Sequence, residues 1–197
     1  MSDEGGQGRL IVLSGPSGVG KDTVLRRLFE LCPNLRYSVS YTTRPPRPRE
    51  VDGVSYTFVD EDTFRQMLAH GEFLEWADVY GRLYGTSLQR VREARQRGED
   101  IVLKIDVQGA AQVRSRVPDA ILIFLLPPSD EELFRRLRER GTDAGNSLER
   151  RLDNATAELA EAQHYDHRVV NDEVDRAARE ILAIVADSRG ANPRAVR

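Results

Sequence analysis

The chain has 197 residues, 40% hydrophobic and 31% charged, which fits one compact domain with a sizeable core. A net charge of −3 argues against a general nucleic-acid binder, and no apolar run approaches the roughly 20 residues that span a bilayer. Cys32 is the single cysteine, which excludes an intrachain disulfide and a cysteine-based zinc site.

The acidic start "MSDEGGQGR" lacks the apolar stretch of a signal peptide, so a cytoplasmic setting without membrane attachment is expected. Residues 1–8 read as a flexible tail. "RLIVLS" (9–14) then reads as a buried strand that runs straight into "GPSGVGK" and a helix with Val24, Leu25, Leu28 and Leu31 on one face. Further strands are expected at "RYSVSYT" (36–42), "DIVLKID" (100–106), "AILIFLL" (120–126) and "HRVVN" (167–171). Most are continuous apolar runs, the mark of a parallel sheet buried on both faces. Helices are expected from an N-cap at Ser87 to Gly98, from the capping box Ser129/Glu132 to Gly141, and over 172–188. The alternation predicts an α/β three-layer sandwich around a five-stranded parallel sheet. Residues 40–86, with hairpin-like pieces, and the Arg-dense stretch 138–155 read as flaps inserted on this core; 189–197 reads as a second flexible tail.

Strand, glycine loop and helix in that order are the context of a phosphate-binding loop, Gly15, Pro16, Ser17, Gly18, Val19, Gly20 and Lys21. Glycines let backbone N–H groups reach phosphate, and the helix N-terminus adds positive potential. Of 29 basic residues only Lys21 and Lys104 are lysines, and Lys21 falls where a point charge must meet the β/γ-phosphates. The pattern then asks for Ser or Thr, a Mg²⁺ ligand, but Asp22 follows, before Thr23. A carboxylate there can bind Mg²⁺ directly or through water. Arg44 and Arg47, in a Pro-stiffened segment, suit a bidentate grip on a second phosphate; Pro45-x-x-Pro48 can equally be a polyproline ligand. His70, His164 and His167 fall outside every motif and are expected at the surface or in packing.

Over about residues 9–188 the chain resembles the guanylate kinases. "GPSGVGK", "SVSYTTRPPR", "DGVSYTFV", "GEFLEW", "YGT", "IDVQGA", "PPS", "RLRERGT", "SLERRL" and "VVND" follow in that family's order. The resemblance implies a P-loop nucleoside monophosphate kinase that transfers the γ-phosphoryl of Mg-ATP to GMP. It implies a core at 9–38, 97–137 and 157–188, a GMP-binding flap at 39–96 and a lid at 138–156, whose closure would exclude water. Ser40 and Thr86 would meet the O6/N7 edge of guanine, and Glu75 its N1–H and 2-amino group. Arg44, Arg47, Tyr56 and Tyr84 match the clasp on the GMP phosphate. Arg136, Arg140 and Arg151 match the lid arginines, Asn171 falls among the ATP-binding residues, and Asp106 would order Mg²⁺ waters or hold its loop. ATP, GMP and Mg²⁺ are the implied small molecules, with no nucleic-acid partner; oligomeric state is open.

Two departures stand out. Asp22 replaces the usual Ser, and Lys104 replaces an acid often found before "IDVQG". Lys104 is expected to be partly buried and paired, with Asp106 or a substrate oxygen. Ribose 1,5-bisphosphate phosphokinases, which tend to carry Asp after the loop lysine, are one alternative. A non-catalytic module like the guanylate-kinase-like domains of membrane scaffolds is another.

Overall fold

A computed structural model describes residues 7–139 and 148–188, with side chains of the second stretch from 152 onward. Five strands form one parallel sheet: β1 (Leu10–Ser14), β2 (Arg36–Tyr37), β7 (Ile101–Lys104), β8 (Ile121–Leu126) and β9 (His167–Val170), in the order β2-β7-β1-β8-β9. Four more form a second sheet: β3 (Tyr41–Thr42), β4 (Thr57–Phe58), β5 (Phe73–Asp78) and β6 (Leu83–Ser87), in the order β4-β3-β6-β5. The expected strand at 36–42 is thus two strands in two sheets. Its sequence alternates polar and apolar residues, unlike the continuous apolar runs of β1 and β8, and Ser38–Ser40 carry the chain from one sheet to the other. The chain divides into two compact units.

One unit comprises the chain up to Val12 and Asn34–Ala120. Its hairpin β5/β6 turns at Tyr80 and Gly81, both at positive φ (56° and 74°), the geometry of a tight two-residue turn. Helix α2 (Glu61–Ala69) starts at Asp60, whose carboxylate accepts from the Thr63 N–H at 2.7 Å. It buries Phe64, stacked on Phe73 with centroids 4.4 Å apart. Helix α3 (Leu88–Gln96) is capped by Ser87, as its sequence predicts. Helix α4 (Val107–Arg116) is capped by Asp106. Val102, Leu103 and Val113 complete the apolar interior, each worth about 1.5–3 kcal/mol when fully buried.

The other unit comprises Leu13–Pro33 and the chain from Ile121. Helix α1 (Lys21–Leu31) buries Val24, Leu25 and Leu28. Helix α5 (Asp130–Glu139) begins with Ser129 accepting from the Glu132 N–H at 3.2 Å, while the Glu132 carboxylate accepts from Arg135 and Arg136. Its expected stop at Gly141 lies outside the described residues. Helix α6 (Leu148–Ala160) begins inside the stretch expected as a polar flap and takes in its last part, 148–155. Helix α7 (Val174–Asp187) turns Ala177, Ala178, Ile181 and Val185 inward and meets α1 through an Arg27–Asp175 ion pair. The three histidines are exposed. Among the described residues no helix is long and apolar enough to cross a membrane.

Candidate functional site

In the second unit β1 ends at Ser14 and the loop Gly15–Gly20 delivers the chain to α1. Gly15 and Gly20 stand at φ +142° and +100°. A Cβ on Gly15 would lie 2.5 Å from the Leu125 carbonyl oxygen, and one on Gly20 would lie 2.5 Å from Asn171 Nδ2. Only glycine fits both places. Lys21 Nζ bends back and donates to the carbonyls of Gly15 (2.5 Å) and Pro16 (3.0 Å), which holds the ammonium at the loop. The Val19 carbonyl accepts from Asn171 Nδ2 at 2.8 Å and from Arg136 Nη1 at 3.4 Å. Asn171 is buried, and its Oδ1 has no hydrogen-bond partner among the described residues.

Gly18, Gly20, Thr23, Arg136, Asn171 and Asp172 line an open cavity of about 440 Å³. The expected loop residues, Arg136 and Asn171 therefore come together. Asp22 is exposed in the first turn of α1, where the helix dipole favours a carboxylate. Among the described residues no three His, Cys, Asp or Glu side chains cluster as a metal cage. A lone hard oxygen donor such as Asp22 suits Mg²⁺, which takes its other ligands from water and phosphate. Arg140 lies outside the described residues, as does the side chain of Arg151. Glu158, which the sequence does not single out, accepts from the Ser17 N–H at 3.1 Å.

The other expected residues gather in the first unit, and the register of its four-stranded sheet explains why. Glu75 pairs with Thr86 across β5/β6, and Tyr41 pairs with both Gly85 and Thr57. One step along those registers Ser40 stands opposite Thr86 and Tyr56. Glu75, Thr86, Ser40 and Tyr56 thus form one row across the sheet, their side chains on one face because strand residues alternate. The next row on that face carries Thr42 and Tyr84.

Ser40, Thr86 and Glu75 are buried. Thr86 Oγ1 donates to Glu75 Oε1, so the hydroxyl expected to face a base edge is here holding the carboxylate. Burial, with a smaller push from the Asp106 charge, raises the Glu75 carboxyl from 4.5 to about 7 against the Thr86 bond and Arg116. Helix α4 supports this strand through residues of one face that the sequence reading missed. Gly109 lets Glu75 in, since a Cβ there would lie 2.2 Å from Oε2. Gln112 bonds both backbone groups of Trp76, and Arg116 donates to the carbonyls of Phe73 and Leu74. Asp106 Oδ1 accepts from the Gly109 N–H at 2.8 Å, which fixes the start of that helix.

Arg44 donates to the Tyr84 hydroxyl at 3.3 Å and to Glu50 at 2.8 Å, with its guanidinium carbon 5.4 Å from the Tyr56 ring centroid. The Tyr56 and Tyr84 rings meet edge-on at 5.8 Å. Burial pushes the Glu50 carboxyl up, but its bonds from Arg44 and from the Arg47 N–H outweigh this and hold it below the usual range. The Arg47 side chain is exposed. Lys104 is half-buried, and its Nζ lies 5.1 Å from the Tyr56 centroid.

A sequence model of the guanylate kinase family matches residues 7–188. The guanylate kinase of Syntrophotalea carbinolica is 49% identical over 178 residues, covering 90% of this chain and 85% of the relative. That of a Thermus thermophilus strain is 50% identical over 186 residues, covering 94% and 83%. The crystal structure of guanylate kinase from Anaplasma phagocytophilum superposes with a TM-score of 0.81 at 32% identity, covering 95% of this chain and 89% of that one.

Proposed function

The chain belongs to the guanylate kinase family, and from that premise we propose how its residues divide the transfer of the γ-phosphoryl group of ATP to GMP, giving ADP and GDP. The observation that carries the assignment is the row of buried Glu75, Thr86 and Ser40, continued by half-buried Tyr56 with Arg44 beside it. Ionised Glu75 accepts from guanine N1–H and the 2-amino group, held by Thr86; Ser40 serves the O6/N7 edge. Adenine, whose N1 is an acceptor, would face that carboxylate with no proton between them, a strong basis for rejection. Arg44, Arg47, Tyr56 and Tyr84 take the GMP phosphate, which competes with Glu50 for Arg44.

On the ATP side, the loop N–H groups and Lys21 receive the phosphates. The buried Asn171 Oδ1 is an acceptor awaiting a donor, a role that the 6-amino group of adenine fits. The 440 Å³ cavity lies within the range of about 300–1,000 Å³ found for ligand sites. Asp22 would hold Mg²⁺, directly or through water, and a water-mediated role for Asp106 belongs to the same proposal. Bound Mg²⁺ supplies neutralisation of phosphate charge. Arg136, with Arg140 and Arg151, is assigned to the transferring phosphoryl group, whose transfer depends on positioning and charge stabilisation. No general base is assigned, because a phosphate monoester with a second pKa near 6 is already largely ionised at neutral pH. A cytoplasmic setting is part of this reading.

Mg-ATP-dependent ADP release with GMP, AMP, UMP and ribose 1,5-bisphosphate offered separately tests it. GMP should exceed the other two nucleotides by at least about a hundredfold in kcat/KM. Turnover with the sugar bisphosphate alone would overturn the base assignments.

A further inference from the structure

We propose that Arg116 is a positioning residue for base selection: it pins a bulge in β5 that turns Glu75 towards the base. The inference deepens the assignment of Glu75 to guanine and rests on it. Pairing between β5 and β6 sets Phe73 opposite Ser87 and Glu75 opposite Thr86, so two steps on one strand answer a single step on the other. Leu74 is the extra residue of this β-bulge. In a regular strand residues two apart share a face, so Phe73 and Glu75 would point the same way. The bulge separates them. Phe73 goes with Ser87 and Gly85: its ring lies 2.8 Å from where a Cβ on Gly85 would stand, and it stacks on Phe64. Glu75 goes with Thr86 to the opposite face, where its carboxylate accepts from the Thr86 hydroxyl. An aromatic core residue and a buried carboxylate can stand two apart on this strand because the ladder slips by one between them.

A bulge disrupts the regular ladder locally, so its backbone groups need other partners to fix its shape. Arg116, in the last turn of α4, supplies them: Nη1 donates to the Phe73 carbonyl at 3.1 Å and to the Leu74 carbonyl at 2.5 Å. One nitrogen thus fixes the two successive peptide groups that lead into Glu75. A charged donor makes these bonds stronger than their neutral counterparts. On the other side of Glu75, Gln112 holds both backbone groups of Trp76. The strand is therefore gripped before and after the carboxylate, and Arg116 holds the side where the register breaks. Without that hold the bulge can move along β5, and a shift of one residue turns Glu75 away from Thr86 and from the base.

Calorimetric titration of the full chain with GMP and with inosine monophosphate, which lacks only the 2-amino group, reads the aim of Glu75. The parent should bind GMP at least about tenfold more tightly, through the extra bond to the carboxylate. In Arg116→Met the GMP Kd should rise about ten- to a hundredfold, and the two ligands should come within about threefold of each other. The KM for ATP should not change. Arg116→Lys should keep the ratio of the two Kd values within about threefold of the parent, since both bonds leave one nitrogen and an ammonium can supply them. In Glu75→Gln, a further Arg116→Met change should cost GMP binding less than it does in the parent. An unchanged GMP Kd in Arg116→Met, or equal losses for the two ligands, overturns the proposal. Glu75→Gln alone tells this failure from that of the underlying assignment. If it too leaves the ratio at the parent value, Glu75 does not read the base, and the role of Arg116 falls with it. Should Arg116→Met not fold, Arg116→Gln, whose shorter side chain stops short of both carbonyls, takes its place in the same titrations.

Discussion

In the sheet that carries Glu75 the groups assigned to the base are buried side chains, with Glu75 tied to Thr86, whereas the loop from Gly15 to Gly20, assigned to phosphate, offers backbone N–H groups with Lys21 and Asp22 at its end. Glu75 depends on Thr86 beside it and on the bare Cα of Gly109 behind it. A base differs from its competitors by a few hydrogen atoms, so its site must hold buried donors and acceptors in fixed places. Phosphates present the same oxygens on every nucleotide, and a glycine-lined turn at a helix start suffices for them. Substitutions on the two sides should therefore fail in different ways.

The largest effect is expected from Lys21→Met, which removes the loop's charge: kcat should fall about a thousandfold or more, with GMP affinity intact. A matching loss of GMP affinity, read by titration, would dissolve the separation between the two regions. Glu75→Gln should lower kcat/KM for GMP by roughly 10²–10³-fold, the value of about two charge-assisted hydrogen bonds. The same change should stabilise the ligand-free protein. A carboxyl raised to about 7 from 4.5 contributes stability that is present below 4.5 and lost as pH rises through 7. Calorimetric melting at pH 8 should thus favour the glutamine variant by roughly 1–3 kcal/mol, and the advantage should vanish near pH 4. A variant less stable than its parent at pH 8 would show that Glu75 is not held against its ionisation.

Gly109→Ala should raise the GMP KM by about ten- to a hundredfold while ATP saturation stays put, because the added methyl displaces Glu75 alone. Guanosine, which lacks the titrating phosphate, should bind about tenfold more weakly at pH 6 than at pH 8, as Glu75 takes up the proton that blocks guanine N1–H. A flat profile over that interval would remove the carboxylate from base recognition. The smallest effect belongs to Asp22→Ser, expected within about tenfold of parental turnover. One oxygen donor there replaces another, and a thousandfold loss would assign Asp22 a task beyond holding Mg²⁺.

The phosphate loop was legible in the sequence because backbone recognition demands glycines at fixed spacing, and those letters stand together between Gly15 and Gly20. Strands β1 and β8 were legible as continuous apolar runs. The switch between sheets within residues 36–42 was not, since the polar–apolar alternation of RYSVSYT runs unbroken across the two short strands. The row of Glu75, Thr86, Ser40 and Tyr56 was named through resemblance; its geometry depends on registers among strands far apart in sequence. Gly109, Gln112 and Arg116 did leave a trace, a spacing of three and four that puts them on one helix face. Nothing in that spacing says which strand the face grips. Glu50 and Glu158 carry no sequence signal, because their roles come from partners brought near by folding.

Glu158 on α6 already occupies the N–H of Ser17. On the proposed assignment of this loop to ATP, a phosphate oxygen that reaches the Ser17 N–H would displace an internal carboxylate, so binding there would be an exchange of acceptors and release its reverse.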